Sequence, residues 1–191
     1  MLTGQYTALL DANLIYPAPL RDIFMQLALE DAFRAKWTAD IHREWIDALM
    51  REQPHRDRAK LEHTRDLMDK HVWDALVTGY ETLIEALQLP DPNDRHVLAA
   101  AIVGRCDVIV TRNLKDFPKK SLEVYGIEAQ HPDEFLSDYL KLTPGKFCNA
   151  LHTVRTRLKN PPYTVEMYLE TLLRQDLVVT VAELQPYQDM I

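Results

Sequence analysis

The stretch from Asp91 to Thr111 constrains the fold more than any other part of this 191-residue sequence. Its helical portion, Val97 to Val103, is apolar on every side, which indicates a helix buried on more than one face. Gly104 is a candidate terminator, and the run 107–111, with four β-branched residues after Asp107, predicts a strand. A buried helix followed at once by a buried strand is typical of a parallel sheet covered by helices.

The rest of the first 140 residues continues this alternation. The short apolar run from Ala8 to Leu10 fits a buried strand, and Thr38 is a suitable N-cap for a helix with one apolar face. A weaker strand is expected near Ile127, and a helix from Pro132 to Leu140. The pattern predicts the α/β class, as a three-layer α/β/α sandwich with a central, mostly parallel sheet.

From residue 141 onward the sequence shows apolar positions at helical spacing, interrupted by Asn160-Pro161-Pro162. We therefore predict a first domain over residues 1–140 and a C-terminal helical extension over residues 141–191. The extension is expected to pack on the core or on a partner. The run from Val178 to Val181 fits either a helix or a strand, because its β-branched residues also favour strands.

Charge, cysteine content and hydropathy exclude several classes of protein. The 29 acidic and 22 basic residues give a net charge of −7, which argues against nucleic-acid binding through bulk positive charge. Two cysteines without a C-x-x-C motif argue against a disulfide framework and a structural zinc site. No signal peptide is recognised in Met1–Tyr6 and no apolar stretch approaches ~18 residues, so we expect a cytoplasmic protein without membrane association.

Four acidic residues occupy positions that such a fold would bring together. Asp11 and Asp116 follow predicted strands, and ligands of open parallel sheets bind at the carboxyl ends of strands. Asp94 lies in the first turn of the buried helix, whereas Glu44 borders an apolar helix face, where an unpaired carboxylate is costly. Each position alone also fits a cap, a favourable helix dipole or solvent contact. Asp91 competes with Asp94, but helix capping already explains Asp91.

Together, the four acids predict a metal site. Clustered carboxylates raise one another's pKa, and a hard divalent cation such as Mg²⁺ or Mn²⁺ relieves their repulsion. Such sites catalyse hydrolysis of phosphodiesters. The sequence contains no G-x-S-x-G, P-loop or G-x-G-x-x-G motif, which disfavours serine hydrolases and nucleotide-binding enzymes. A HAD-type phosphatase would need an aspartate at the position of Asn13.

Four sequence blocks carry these acids: Leu9-Leu10-Asp11-Ala12-Asn13, His42-Arg43-Glu44-Trp45, Leu89 to Ala101, and Val108 to Phe117. The last two are the most specific, with an acid and an arginine before an alanine-rich helix and a T-x-N-x-x-D-F motif after a strand. Together the blocks resemble the PIN domain, in particular the VapC-type toxins of bacterial toxin–antitoxin systems. The resemblance covers about residues 1–140.

The resemblance implies a metal-dependent endoribonuclease that hydrolyses RNA phosphodiester bonds, acts as the toxin of a toxin–antitoxin pair and uses Mg²⁺ or Mn²⁺. The implied catalytic residues are Asp11, Glu44, Asp94 and Asp116, and the metal ligands among them are Asp11, Asp94 and Asp116. Thr111 and Asn113 match the polar residues that accompany these acids, and Asn13 is a further supporting candidate. Arg95 and Arg112 lie next to the acids, so they are candidates for contacts with RNA phosphates, with solvated surface charge as the alternative. The implied partners are RNA and an antitoxin protein, and a homodimer is left open. The alternative is a non-catalytic PIN-like module whose acidic pocket engages a partner arginine.

Overall fold

The computed structural model describes residues 6–191. The prediction that Met1–Tyr6 is not a signal peptide therefore concerns residues that lie almost entirely outside the described part. The chain divides into two compact units, each drawn from two stretches of sequence. Unit 1 comprises the residues up to Tyr16 and Phe33–His131, and unit 2 comprises Pro17–Ala32 and Pro132–Ile191. Within the described residues, no helix is long and apolar enough to cross a bilayer.

Residues 6–191 contain four strands and ten α-helices. The strands are β1 (Thr7–Leu10), β2 (Arg34–Lys36), β3 (Val108–Val110) and β4 (Glu128–Gln130). The helices are α1 (Ala12–Ile15), α2 (Ala18–Leu29), α3 (Ala39–Glu52), α4 (Arg58–His71), α5 (Arg95–Val103), α6 (Lys119–Leu122), α7 (Pro132–Leu142), α8 (Pro144–Arg157), α9 (Val165–Leu173) and α10 (Val178–Glu183). Short 3₁₀ turns span Glu81–Ala86, Pro92–Asp94, Leu114–Asp116, Glu123–Tyr125 and Gln185–Met190.

Unit 1 is built on a parallel four-stranded sheet in the order β2-β1-β3-β4. The two central strands, β1 and β3, are buried at every position, which explains why their sequences are apolar without alternation. They pair in a register that sets Leu10 opposite Val110. Helix α5 packs against both central strands, and its alanines allow the close approach. The predicted α/β sandwich with a parallel sheet is confirmed.

Most elements of unit 1 lie where the sequence predicts them. Helix α3 begins after Thr38, whose hydroxyl accepts a hydrogen bond from the backbone N–H of Ile41 at 3.0 Å. Helix α5 ends at Gly104, and the weaker strand near Ile127 is β4. Strand β2 is not predicted from the sequence. It has only three residues, and two of them are basic, so the segment resembles an exposed loop.

A polar network connects α3 to α4, with a buried histidine and a partly exposed aspartate. The indole N–H of Trp37 donates to Asp69 Oδ1 at 2.7 Å, and His42 Nε2 lies 3.1 Å from the same oxygen. The indole N–H of Trp45 donates to His42 Nδ1 at 2.9 Å, so the ring is neutral and carries its proton on Nε2. Burial also lowers the pKa of His42. The network therefore fixes the turn of α3 that carries Glu44.

Unit 2 is a cluster of helices. Helix α2 packs against α8 and α9, while α7 packs against α8 and α10. The buried face of α2 includes Leu20, Ile23 and Leu27, and its Phe24 stacks on Phe135 with ring centroids 5.5 Å apart. The core of this cluster therefore depends on a helix that precedes most of unit 1 in sequence.

The run from Val178 to Val181, for which the sequence left helix and strand open, belongs to helix α10. The buried carboxylate of Asp133, on α7, accepts hydrogen bonds from the backbone N–H groups of Val179 and Thr180, both at 2.8 Å. The hydroxyl of Thr180 in turn donates to the backbone carbonyl of Asp133 at 3.0 Å. A cap supplied by another helix thus overrides the strand preference of these β-branched residues.

We expect Asp133→Ala to lower the free energy of unfolding by about 1–3 kcal/mol, because two buried N–H groups would lose their acceptor. Urea denaturation followed by circular dichroism measures this loss. Asp138→Ala is the matched control, since Asp138 lies on the same helix with a side chain 55% exposed, and should change stability little. Equal stability of the two variants would contradict the capping role.

The domain boundary predicted at residue 140 stays a prediction. The structure shows that residues 141–191 include α8 to α10, which complete the environment of α2 within unit 2. The chain passes between the units after Tyr16, Ala32 and His131. A protein truncated at residue 140 would therefore keep α2 but lose α8 and α9, which pack against it.

Deletion of residues 141–191 should give a protein that aggregates or binds hydrophobic dyes, because α2 and α7 would lose the helices that pack against them. Size-exclusion chromatography and dye fluorescence, compared with the full chain, measure this effect. A monodisperse fragment with no increase in dye binding would show that α2 does not need those helices.

Candidate active site

Asp11 and Thr111 meet at the carboxyl edge of the central strands. Because Leu10 pairs with Val110, the next residue of each strand emerges at the same place. The Thr111 hydroxyl donates to Asp11 Oδ2 at 2.7 Å, and the backbone N–H of Ala12 donates to Asp11 Oδ1 at 2.7 Å. Asp11 is only 6% exposed, and burial raises its pKa despite these bonds. Asp11 is therefore a buried, tightly oriented carboxylate.

A network of side-chain amides extends from Asp11 toward Asp116. The amide nitrogen of Asn13 donates to Asp11 Oδ2 at 2.6 Å and to the Thr111 hydroxyl at 2.9 Å. The Thr111 oxygen also accepts the backbone N–H of Asn113 at 3.0 Å, and the Asn113 amide donates to the carboxylate of Asp116. The structure thus joins five of the predicted site residues in one hydrogen-bonded network.

Asp94 and Asp116 form an acidic cluster with Asp91. The three carboxylates each offer an oxygen, and these oxygens lie within 4.8 Å of one another. Asp91 also caps the 3₁₀ turn Pro92–Asp94, because its side chain accepts the N–H of Asn93 at 2.9 Å. The Asp94 carboxylate makes no such capping bond, so capping does not explain its position.

Burial is the main cause that raises the pKa of Asp94 to about 6, and the negative charges of Asp11, Asp91 and Asp116 add to it. The four carboxylates are thus close enough to repel one another. A set of oxygen donors that carries this much unfavourable charge fits a hard divalent cation such as Mg²⁺ or Mn²⁺.

Glu44 is held by a histidine rather than by the acidic cluster. His96 Nε2 lies 2.8 Å from Glu44 Oε1. Burial alone would lower the pKa of His96, but the hydrogen bond and the negative charges of Glu44, Asp40 and Asp11 raise it overall. The hydrogen bond thus connects Glu44 on α3 to the first turn of α5. Nδ1 of His96 is buried and has no hydrogen-bond partner within the described part of the chain.

Sequence reasoning missed two members of this site. Capping alone explains Asp91 from the sequence, but the 3₁₀ turn Pro92–Asp94 that it caps also brings its carboxylate close to Asp94. His96 is separated from Glu44 by 52 positions, so spacing could not pair them. The available signal was the cost of an unpaired carboxylate beside an apolar face, which predicts a cation partner without identifying it.

The two predicted arginines lie at the border of the site. The backbone N–H of Arg112 donates to Asn13 Oδ1 at 3.0 Å, which places Arg112 beside the network. Arg95 follows Asp94 directly, and its Nε is buried without a hydrogen-bond partner among residues 6–191. Their assignment to substrate binding stays a prediction.

Fold and site together define an α/β protein with a cluster of carboxylates at the carboxyl edge of a parallel sheet. The family model described as PIN domain matches residues 7–115, which is more than half of the chain. The chain therefore belongs to the PIN domain family. A second family model, described as the VapC50 C-terminal domain, matches residues 132–186, which contain α7 to α10.

The chain is also similar to a protein of Mycobacterium tuberculosis strain H37Rv named "Putative ribonuclease VapC50". The two are 42% identical over 101 residues, which make up 53% of this chain and 59% of that relative. The match thus spans less than two thirds of the relative's length. No solved structure matches the chain significantly.

Asp94→Asn should stabilise the metal-free protein at neutral pH. A carboxyl group with a pKa raised by folding binds its proton more tightly in the folded chain. The stability that it contributes is therefore lost as the pH rises from about 4 to about 6. Removing the charge should recover about 1 kcal/mol near pH 7.5, after allowance for solvent screening of this half-buried group.

Denaturation in the presence of EDTA, at about pH 4 and about pH 7.5, measures this gain, which should vanish at the lower pH. Asp66→Asn is the control, since that side chain is 62% exposed and lies on α4. A loss of stability at neutral pH in Asp94→Asn would show that the cluster is not repulsive.

Proposed function

We propose that this protein is a metal-dependent endoribonuclease and the toxin of a toxin–antitoxin pair. The observation that carries the proposal is the acidic cluster of Asp91, Asp94 and Asp116, next to Asp11 at the carboxyl edge of the sheet. Membership of the PIN domain family and the similarity to a relative named as a ribonuclease support it.

The metal in this proposal is Mg²⁺ or Mn²⁺, held by Asp11, Asp94 and Asp116. Asp91 is a further candidate ligand, because its carboxylate lies within reach of Asp94 and Asp116. When bound, such an ion lowers the pKa of a coordinated water and offsets charge on a phosphodiester. The oxygen-only donor set suits these ions better than zinc, which prefers histidine and cysteine.

The surrounding residues orient these carboxylates. Thr111, Asn13 and the backbone N–H of Ala12 orient Asp11 through three hydrogen bonds, and the Asn113 amide donates to Asp116. Glu44 would accept a proton from, or orient, the attacking water, and His96 holds its carboxylate in place. Arg95 and Arg112 would contact phosphates of the RNA, since both adjoin the acidic residues.

The partner in this proposal is an antitoxin that inserts an arginine among the carboxylates. A guanidinium forms bidentate bonds with carboxylates and would relieve the same repulsion that a cation relieves. Such a partner would compete with metal binding at Asp94 and Asp116. The same chemistry would support a binding function in a protein that does not cleave RNA.

Purified protein should cleave a structured RNA in Mg²⁺ or Mn²⁺, and EDTA should abolish cleavage. Asp94→Asn should reduce the rate about a hundredfold or more, because a metal ligand is lost while the shape is kept. Gel analysis of end-labelled RNA measures both effects. Asp66→Asn is the control for a lost surface carboxylate and should cleave like the wild type.

Circular dichroism of each variant separates a lost ligand from a lost fold. Cleavage that is independent of metal, or equal in Asp94→Asn and the wild type, would contradict the enzyme proposal. Binding of an arginine-containing partner without cleavage would favour the binding alternative.

A further inference from the structure

A groove of about 590 Å³ opens beside the acidic site, between α1 and α3. Its wall and floor include Ala12 and Tyr16 at one side, and Ala48 and Arg51 of α3 at the other. Arg112 also lines the groove. Its volume is within the range of pockets that bind small molecules, and one nucleotide fits within such a volume.

The groove is continuous with the proposed catalytic residues. Asn13, Glu44 and Asn113 line the groove and also belong to the site at the carboxyl edge of the sheet. An RNA strand bound in the groove would therefore reach the acidic cluster along the surface of unit 1. This position suits a subsite next to the bond that is cleaved.

The side chains of the groove combine apolar surface with cationic charge. Ala12 and Ala48 are small, so the ring of Tyr16 can meet a planar group between α1 and α3. Both acids of the groove already have partners, because Glu44 pairs with His96 and Glu52 accepts the Tyr16 hydroxyl. Arg51 is exposed and forms no ion pair within the described part of the chain. An aromatic ring beside an available arginine suits a base and its phosphate.

We infer that this groove, which we call the nucleotide groove, binds the RNA nucleotide adjacent to the scissile phosphate, with its base on Tyr16 and its phosphate on Arg51. The inference rests on the proposed ribonuclease function. It also explains how an acidic protein holds RNA, since one arginine placed on a phosphate acts locally whatever the net charge.

Binding of nucleotides to the metal-free protein tests the groove without any cleavage. In nuclear magnetic resonance titrations, nucleoside 5′-monophosphates should shift the backbone amide signals of Tyr16, Ala48 and Arg51. Inorganic phosphate alone should shift mainly Arg51, and nucleosides mainly Tyr16. Tyr16→Phe should keep binding, whereas Tyr16→Ala should weaken it about tenfold, because only the latter loses the ring. Shifts confined to other surfaces would overturn the inference.

Cleavage kinetics give the second test. With a single-stranded RNA of about 12 nucleotides, Arg51→Ala should raise KM about tenfold and leave kcat nearly unchanged. The slope of log affinity against log salt concentration should fall by about 0.7, the value for one lost phosphate contact on a single strand. Arg34→Ala is the matched control, because Arg34 begins β2 at the opposite, amino edge of the sheet and is exposed.

An unchanged KM and salt slope in Arg51→Ala, or equal changes in Arg34→Ala, would overturn the inference while leaving the ribonuclease proposal intact. If the wild type cleaves no RNA, the ribonuclease proposal fails. The nucleotide titrations then decide separately whether the groove binds a nucleotide.

Discussion

The register between β1 and β3 is the constraint on which the site depends. Leu10 opposite Val110 sends Asp11 and Thr111 out of the sheet side by side. A shift of one residue would turn each side chain to the other face, and Asp11 would then lose the hydroxyl that orients it. The fully buried strands and the alanine-rich helix α5 maintain this register through tight packing.

The fold places like charges together and then restrains them. Asp11 has three hydrogen-bond donors, Asp116 has Asn113, and Glu44 has His96. Asp94 makes no capping bond, and it has the pKa of about 6 that burial and its neighbours produce. The repulsion around Asp94 therefore lowers the stability of the metal-free protein, and a bound cation would relieve it. Such local destabilisation is common at functional sites.

The parts of the fold that depend on local pattern were predictable from sequence, and those that depend on distant contacts were not. Apolar runs located β1, β3 and α5, and the polar residues after them located Asp11, Thr111 and Asp116. Strand β2 is too short and too basic to stand out. The cap that Asp133 provides for α10 joins positions 46 and 47 residues apart, and the pairing of Glu44 with His96 spans a similar distance.

Helix α2 has a consequence for how this chain can be divided. It lies within the residues matched by the PIN domain model, yet it belongs to the same compact unit as the region matched by the VapC50 C-terminal domain model. Unit 2 therefore contains one helix, α2, that comes from the part of the sequence matched by the PIN domain model. A protease that cuts between His131 and Pro132 would separate the two matches along the chain, but the fragments would remain associated through α2. The two family matches are separate along the sequence, but the compact units of the folded protein do not follow that division.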